Sequence, residues 1–436
     1  MMYARKKPLA ANVRTAVREV PLTEENGAAA LGHGFAGREG RLFAGYGAAD
    51  AGLSLPAGET AAALFGADGA AGRAFALVCV SGKVYFRAAG AQSFTDSGVT
   101  FAKIPAAARL CGDENGVLLS DGQKTALLQE SGVAEETEIP AFVCAAYHYE
   151  RLWLVPAANA GRLCFSAPGD ARDFTAAIGG GGYIDLPDEK GDIVALAACE
   201  TYLYVFRERG LQRLYARGDE SEFELRDEFS CAKIYAETVC ETGGKLYWLA
   251  EDGLHLFDGG NLENFAENCR IFANEQNAPR AAAAGGAYAL HARLNTEEGA
   301  EEGFVIIDPL REDRQIVWAE ASAVSACGSD VYFVKDGAAY VLQKGGAPAR
   351  RIVRELENPL GTAGRLAEVT LYGKGIYVIK FLSEKGERIV HLQAVGGRAK
   401  SVVNLAGERF VCELISEGAA CELCGLTVRY SAGRQT

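Results

Sequence analysis

The residues able to do chemistry are numerous, but their spacing suits no familiar reaction. The five histidines stand at His33, His148, His255, His291 and His391. None falls in a His-x-His or His-Glu-x-x-His pattern, so a zinc hydrolase has no signal. No Gly-x-Ser-x-Gly elbow and no phosphate-loop Gly-Lys-Ser/Thr motif occurs. Each lone histidine therefore reads as a hydrogen-bonded or solvated side chain. The pair in Cys421-Glu-Leu-Cys424 has no second pair to complete a zinc site. On a strand, positions three apart face opposite sides, so no metal is expected there.

Gly32-His-Gly-Phe-Ala-Gly37 matches the dinucleotide fingerprint. A chain this rich in glycine yields on the order of one such match by chance. It also leads into the strand-like Arg41-Leu-Phe43 and not into a helix, so no cofactor is expected. Acidic pairs such as Asp170 with Asp173, and Asp185 with Asp188, could supply the two carboxylates of a glycosidase or a calcium loop. Nothing in the spacing brings any two of them together, and solvated loop carboxylates are the plainer reading. Trp153, Trp248, Tyr204 and Tyr332 sit at equivalent positions of repeated hairpins. They read as packing between repeats rather than a sugar-stacking platform. The expectation is that no residue is catalytic, cofactor-binding or metal-ligating, and that the chain is not an enzyme.

The elements around these residues repeat. Tyr202-Leu-Tyr-Val-Phe206, a charged turn to Gly210, and the run 211–215 form one hairpin. Lys245-Leu-Tyr-Trp-Leu249, Asp252-Gly253 and 254–257 form another. Val331-Tyr-Phe-Val334, Asp336-Gly337 and 338–342 form a third. Asp-Gly between alternating runs is a strong hairpin signal. Weaker copies centre on Gly82, Gly122, the loop 156–161 and the loop 298–303. The turn glycines recur at intervals of 34 to 50 residues, with a mean of 42.5. A period near 40–50 residues marks a four-stranded propeller blade. The 52 glycines among 436 residues suit many tight turns. No Trp-Asp, kelch or Asp-box signature occurs, so period and hairpins carry the reading.

The chain thus reads as all-β. A β-propeller of about seven blades, with six possible, spans 41–357, and a small C-terminal β-sandwich spans 358–436. Asn358-Pro-Leu-Gly361 marks the break between them. Six strands are expected in the sandwich, over 366–371, 375–381, 388–392, 400–405, 409–415 and 421–430. Residues 1–40 form an extended N-terminal arm, in which 12–20 could be a strand.

The net charge of −13 is unevenly spread. Residues 1–40 carry +2 and residues 360–436 carry +3, which leaves −18 for the middle. So acidic a body excludes general or sequence-specific nucleic-acid binding, because phosphate attraction needs clustered Lys and Arg. No run of 18 apolar residues can span a membrane, and the basic start has no apolar segment behind it. The 12 cysteines are scattered through apolar runs, where they read as buried free thiols in a reducing cytoplasm.

One stretch resembles a known group. Glu150-Arg-Leu-Trp-Leu-Val155 is followed by Gly161-Arg-Leu-Cys-Phe-Ser-Ala-Pro-Gly-Asp-Ala-Arg-Asp-Phe174 and Gly182-Tyr-Ile-Asp-Leu186. Ile193-Val-Ala-Leu196 and Tyr202-Leu-Tyr-Val-Phe-Arg-Glu-Arg-Gly-Leu211 complete it. Together they resemble the bacteriophage virion proteins grouped around the packaged-DNA stabilisation proteins of short-tailed phages. The likeness is best over 140–260, and the chain departs from the group in its abundance of Ala and Gly. The resemblance implies a structural part of the virion neck or tail, a head-tail connector, stabiliser or tail adaptor. It implies assembly in host cytoplasm, other virion proteins (portal, neck, tail) as partners, a homo-oligomer in the particle, and no catalytic residue. Two other readings stand beside it: a propeller-fold glycan-active enzyme or host-surface carbohydrate-binding protein, and a bacterial interaction scaffold.

Overall fold

The computed structural model describes residues 14–20, 35–38, 41–111, 115–186, 190–264, 271–272, 278–296, 299–308, 313–344, 349–361 and 364–432. Among them the chain is all-β, with only two short 3-10 turns, Glu220–Glu222 and Ala236–Thr238. It divides into two compact units. One comprises 48–310 and 318–342; the other comprises 1–47, 311–317 and 343–436.

The first unit is a seven-bladed β-propeller. Five blades are contiguous four-stranded antiparallel sheets. They begin with the strands Ala61–Gly69, Ala106–Leu110, Phe142–His148, Ile193–Cys199 and Cys240–Thr242. The sixth is built on Arg280–Ala284, Ala287–Thr296 and Gly299–Asp308. The seventh starts with Ala323–Cys327, Asp330–Lys335 and Ala338–Lys344. Its fourth strand is Tyr46–Asp50, which comes from before the first blade. The Ala51 amide continues the join by donating to the Ala339 carbonyl, at 3.1 Å. The ring is thus closed by strands from both ends of the repeat, which leaves no open end blade.

The first strands lie innermost, each against the first strands of its neighbours, save between the first and second blades, where Ala61–Gly69 chiefly meets Gly116–Ser120 and Thr125–Gln129. All of these inner strands except Cys240–Thr242 carry two to four alanines. Seven strands converging on one axis leave room only for small side chains, so the abundance of Ala has a local cause.

The middle strands bury both faces. In Arg151–Pro156, Trp153 and Val155 join a core shared with the fourth blade, while Leu152 and Leu154 join one shared with the second. In Tyr202–Arg207, Leu203 and Val205 face the third blade, and Tyr204 and Phe206 face the fifth. Successive side chains alternate between faces, so a strand sandwiched by two neighbours must be apolar throughout. The hairpin at Asp336-Gly337 has φ of +50° and +73°, the geometry of a type I′ turn. It joins Asp330–Lys335 to Ala338–Lys344, as its sequence requires.

In the second unit the strands are longer than the sequence suggests. Gly364–Ser383, Gly386–Ala394, Arg398–Ala406 and Arg409–Ala432 replace the six short ones. The first and last each absorb two of those runs. Both bend at register shifts near Tyr372–Ile376 instead of ending there. Gly373 permits the bend: its φ is +153°, and a Cβ there would lie 2.0 Å from the Glu422 carbonyl oxygen. The result is one sheet curled into a half-barrel, whose two halves enclose a single core where a two-sheet sandwich was read. Leu366, Val369 and Leu371 meet Tyr377, Ile379 and Phe381 inside it. Within the segment read as an extended arm, Arg14–Glu19 is a strand paired along Thr427 to Ala432. Ala349–Glu357 pairs with 409–417.

Candidate functional site

The fold spends its candidate chemical residues on holding itself together. Trp153 and Trp248 are fully buried and Tyr204 nearly so, each between blades. Tyr332 is half-buried, and its hydroxyl accepts a hydrogen bond from Arg73 at 3.2 Å. None of the four presents a free ring face on which a sugar could stack.

The acidic pairs serve local backbone and neighbouring cations. Asp170 accepts the Arg172 amide and Asp173 accepts the Thr175 amide, both at 2.9 Å. That bond holds the Asp173 carboxyl below its ordinary range. Asp185 is gripped by Arg162 through two bonds of 2.7 and 3.0 Å, which also lowers its pKa. Asp188 lies outside the described residues, as does His33. The first three residues of the Gly32 to Gly37 match lie outside them; its final residue pairs across the hairpin with Leu42.

The histidines are dispersed. His148, in the first strand of the third blade, is buried, and that burial lowers its pKa. His255 stacks on Trp248 at 5.3 Å and meets Asp252 through Nε2 at 2.8 Å. His291 lies beside Phe304, and burial pushes it down to about 4. His391 is exposed on the half-barrel.

Eleven cysteines fall among the described residues and all are free thiols. Burial raises Cys144, Cys199, Cys240, Cys327 and Cys412 to about 12, so none is a ready thiolate nucleophile. Cys421 is buried and Cys424 exposed, so the pair does not converge. Among the described residues no three His, Cys, Asp or Glu side chains gather as metal ligands.

What does converge is a set of ties between blades. The Ser-Ala-Pro-Gly-Asp loop is the clearest. Ser166 and Leu152 exchange bonds: the Ser166 amide donates to the Leu152 carbonyl, and the Leu152 amide donates to Ser166 Oγ. Gly169 donates to the Glu150 carbonyl, at 2.7 Å. The loop so fixed projects Arg172 onto Glu136, the last residue of the second blade's outer strand, at 2.8 and 3.1 Å. Arg73 of the first blade does the same across the ring closure, bonding Asp68, Asp330 and Tyr332. Glu130 of the second blade caps the first blade's turn by accepting the amides of Ala70 and Ala71.

Two buried arginines have no counterpart in the reading of the sequence. Arg151 donates to the carbonyls of Ser166 and Gly180, both at 2.6 Å. Arg207 donates to the carbonyls of Leu186 and Gly191. Arg151 pins the loop between the third and fourth strands of its own blade, and Arg207 holds Leu186 and Gly191 on the link from the third blade to its own. The available signal was position: both follow or precede an unbroken apolar run, where alternation turns them inward.

No protein-family model matches the chain, and no curated protein matches its sequence. Solved propeller structures do. The extracellular domain of a protein described as a hybrid two-component system of B. thetaiotaomicron matches with TM-score 0.45 and 13% identity, over 80% of this chain and 48% of that one. PorZ, a surface component of the type-IX secretion system of Porphyromonas gingivalis, matches with TM-score 0.43 and 10% identity, over 79% and 46%. Chaetomium thermophilum Raptor matches with TM-score 0.46 and 8% identity, over 68% and 28%. The chain spans half or less of the length of each. At these values the likeness says nothing of what this chain does.

Proposed function

We propose that this chain is a non-catalytic assembly protein, and specifically a structural component of a bacteriophage virion at the neck or tail. The observation that carries the reading is the use made of the 150–211 stretch. Of its characteristic residues, Ser166, Asp170 and Asp173 fix the loop within the third blade, and Arg172, carried on that loop, ties it to the second. A motif that stiffens a ring suits a part loaded mechanically in a particle. Of the carboxylates weighed as a glycosidase pair, Asp170 and Asp173 are held in turns and Asp185 in an ion pair, which favours this reading over a glycan-active enzyme.

The half-barrel unit adds surface for docking. Tyr372, Ile376, Ile389, Val395 and Val402 are exposed on it, more apolar surface than a free unit needs. The partners in this reading are other virion proteins, and the chain acts in several copies. Among the described residues no helix is long and apolar enough to cross a membrane.

The test is mass spectrometry on purified particles induced from the source bacterium. Several copies per particle are expected. Recovery only from the soluble lysate, with particles free of the chain, overturns the virion reading.

A further inference from the structure

One strand pair of the half-barrel is apolar on both faces. In Gly364–Ser383 the run Ile376-Tyr-Val-Ile-Lys-Phe-Leu382 sends Tyr377, Ile379 and Phe381 into the core. Ile376, Val378 and Leu382 therefore point outward. Its neighbour Arg409–Ala432 does the same, with Phe410, Cys412 and Leu414 in the core and Val411 and Ile415 outside. Ile376 remains 50% exposed, and the other four outer side chains are half-buried. In the propeller, a strand as apolar as this one, such as Tyr202–Arg207, is covered by a neighbour on each side. An antiparallel sheet with one wet face alternates polar residues onto that face. This outer face is aliphatic instead, so it is surface that a partner covers.

The order of its residues decides which partner. The outer side chains form rows across four strands. Val353, Glu413, Lys380 and Ile389 make one row. It reads apolar, acidic, basic, apolar, with Val353 38% and Ile389 51% exposed. Ile415 and Val378 are the centre of the row on one side of it, and Val411 and Leu382 of the row on the other. Such a pattern is its own complement. A two-fold axis along the strands, between Glu413 and Lys380, lays each row end for end on its copy. Glu413 then meets the copy's Lys380, and Val353 meets its Ile389. Ile415 meets Val378, and Val411 meets Leu382. Lys380 already pairs with Glu387 at 3.3 Å, so the lysine does not enter the contact unpaired. The axis also brings Glu355 towards the copy's Glu387, but at the rim of the face, where water and salt screen them.

We propose that this outer face of the half-barrel is covered by the same face of a second copy, sheet on sheet about that two-fold axis. Four strands about 4.8 Å apart, over roughly seven residues of about 3.4 Å each, give two such faces a buried area on the order of 1,000 Å², the size at which specific interfaces begin. Packed sheets stay within about 30° of alignment, which keeps the rows nearly opposite over so narrow a face. The contact is isologous, so it closes at a dimer. The inference gives the assembly role a contact between copies and rests on that reading. It is measured on the isolated chain, whereas the virion role is measured on particles, so each can fail alone.

The test is sedimentation of full-length chains. The unaltered chain is expected to form a dimer that 0.5 M NaCl does not weaken, because the contact is mainly apolar. Val353→Lys with Ile389→Lys sets lysine against lysine across the axis, and association is expected to fall at least tenfold. Val353→Glu with Ile389→Glu is expected to do the same. An equimolar mixture of the two is expected to recover the dimer, since each lysine then faces a glutamate. Val17→Lys with Val402→Lys is the control. Those valines are 63% and 67% exposed on the other half of the sheet, and the dimer is expected to survive their loss. Circular dichroism confirms folding. If the charged pairs unfold the unit, Val353→Thr with Ile389→Thr carries the test, with weaker association again expected. A lysine variant that pairs normally, a mixture that stays apart, or a control that dissociates as readily overturns the proposal. A monomeric unaltered chain also overturns it, and leaves the face to a different protein.

Discussion

Arg172 of the third blade holds Glu136 of the second through both Nε and Nη2, at 3.1 and 2.8 Å from the same oxygen. Glu136 is largely covered and Arg172 about three-quarters covered, so the pair is screened less than a surface ion pair. Removing the arginine strands a partly desolvated carboxylate between blades. Arg172→Ala should therefore cost about 1–3 kcal/mol, in the range of charge-assisted bonds. Arg172→Lys should recover little of it, because an ammonium cannot supply both donors of the fork. Urea unfolding of the propeller unit measures both; equal stability of the lysine variant and the native chain would refute the forked geometry.

The turn at Tyr149-Glu150 is strained. Both residues have positive φ, +46° and +61°, between the first two strands of the third blade. Left-handed backbone costs a non-glycine residue roughly 1–2 kcal/mol. Glycine relieves that cost but loses about 0.5–1 kcal/mol to chain entropy. Glu150→Gly should therefore stabilise the chain by about 0.5–1 kcal/mol. Tyr149 is best left, because its ring packs on His148 at 4.2 Å. A lower denaturation midpoint for the glycine variant would show that the Glu150 side chain contributes more than its backbone strain costs.

What was legible in the sequence, and what was not, follows from which forces are local. The hairpins at 202–215, 245–257 and 330–344 were readable, because turn type and alternation are set by adjacent residues. The closing strand Tyr46–Asp50 was not, since its partner lies nearly 300 residues away and its sequence has no period of its own. The half-barrel was read as shorter strands, because Gly373 and Gly375 look like breaks. In the folded sheet they are the points where a continuous strand bends. The interblade ties at Arg73, Arg151 and Arg172 were missed for the same reason as the closure. A charged residue declares its partner only in three dimensions.

His291 makes stability depend on pH. Burial lowers its pKa from 6.5 to about 4, and the nearest carboxylate, Glu302, stands at 3.6 Å, too far for a hydrogen bond that would offset the burial. The unfolded chain therefore takes up a proton between about pH 6.5 and 4 that the folded chain refuses. Stability from this group is full above 6.5 and falls as pH drops towards 4, by roughly 3 kcal/mol at most. His291→Phe removes the titration and keeps a ring against Phe304. Unfolding free energies at pH 7 and pH 5 should differ less in the variant than in the native chain. An unchanged difference would assign the acid sensitivity to other groups.

The thiols give a test of the cores without disturbing them. Cys111 and Cys424 are exposed, whereas Cys199, Cys327 and Cys412 are buried and raised to about 12. At pH 8 a thiol of ordinary pKa is about a quarter ionised, while one at 12 is ionised to roughly one part in ten thousand. Burial also blocks the reagent. A thiol-specific probe should label the exposed Cys111 and Cys424 well ahead of Cys199, Cys327 and Cys412, which should react only at the rate of unfolding; Cys424 should lose some speed because burial and its hydrogen bond to Glu422 raise its pKa. Peptide mapping after timed labelling separates them. Cys327 is the most informative, because it sits in the core joining the first and seventh blades, where its Sγ would lie 1.6 Å from a Cβ built on Gly66. Fast labelling of Cys327 alone would mean that the ring opens at its closure while the other blades stay packed.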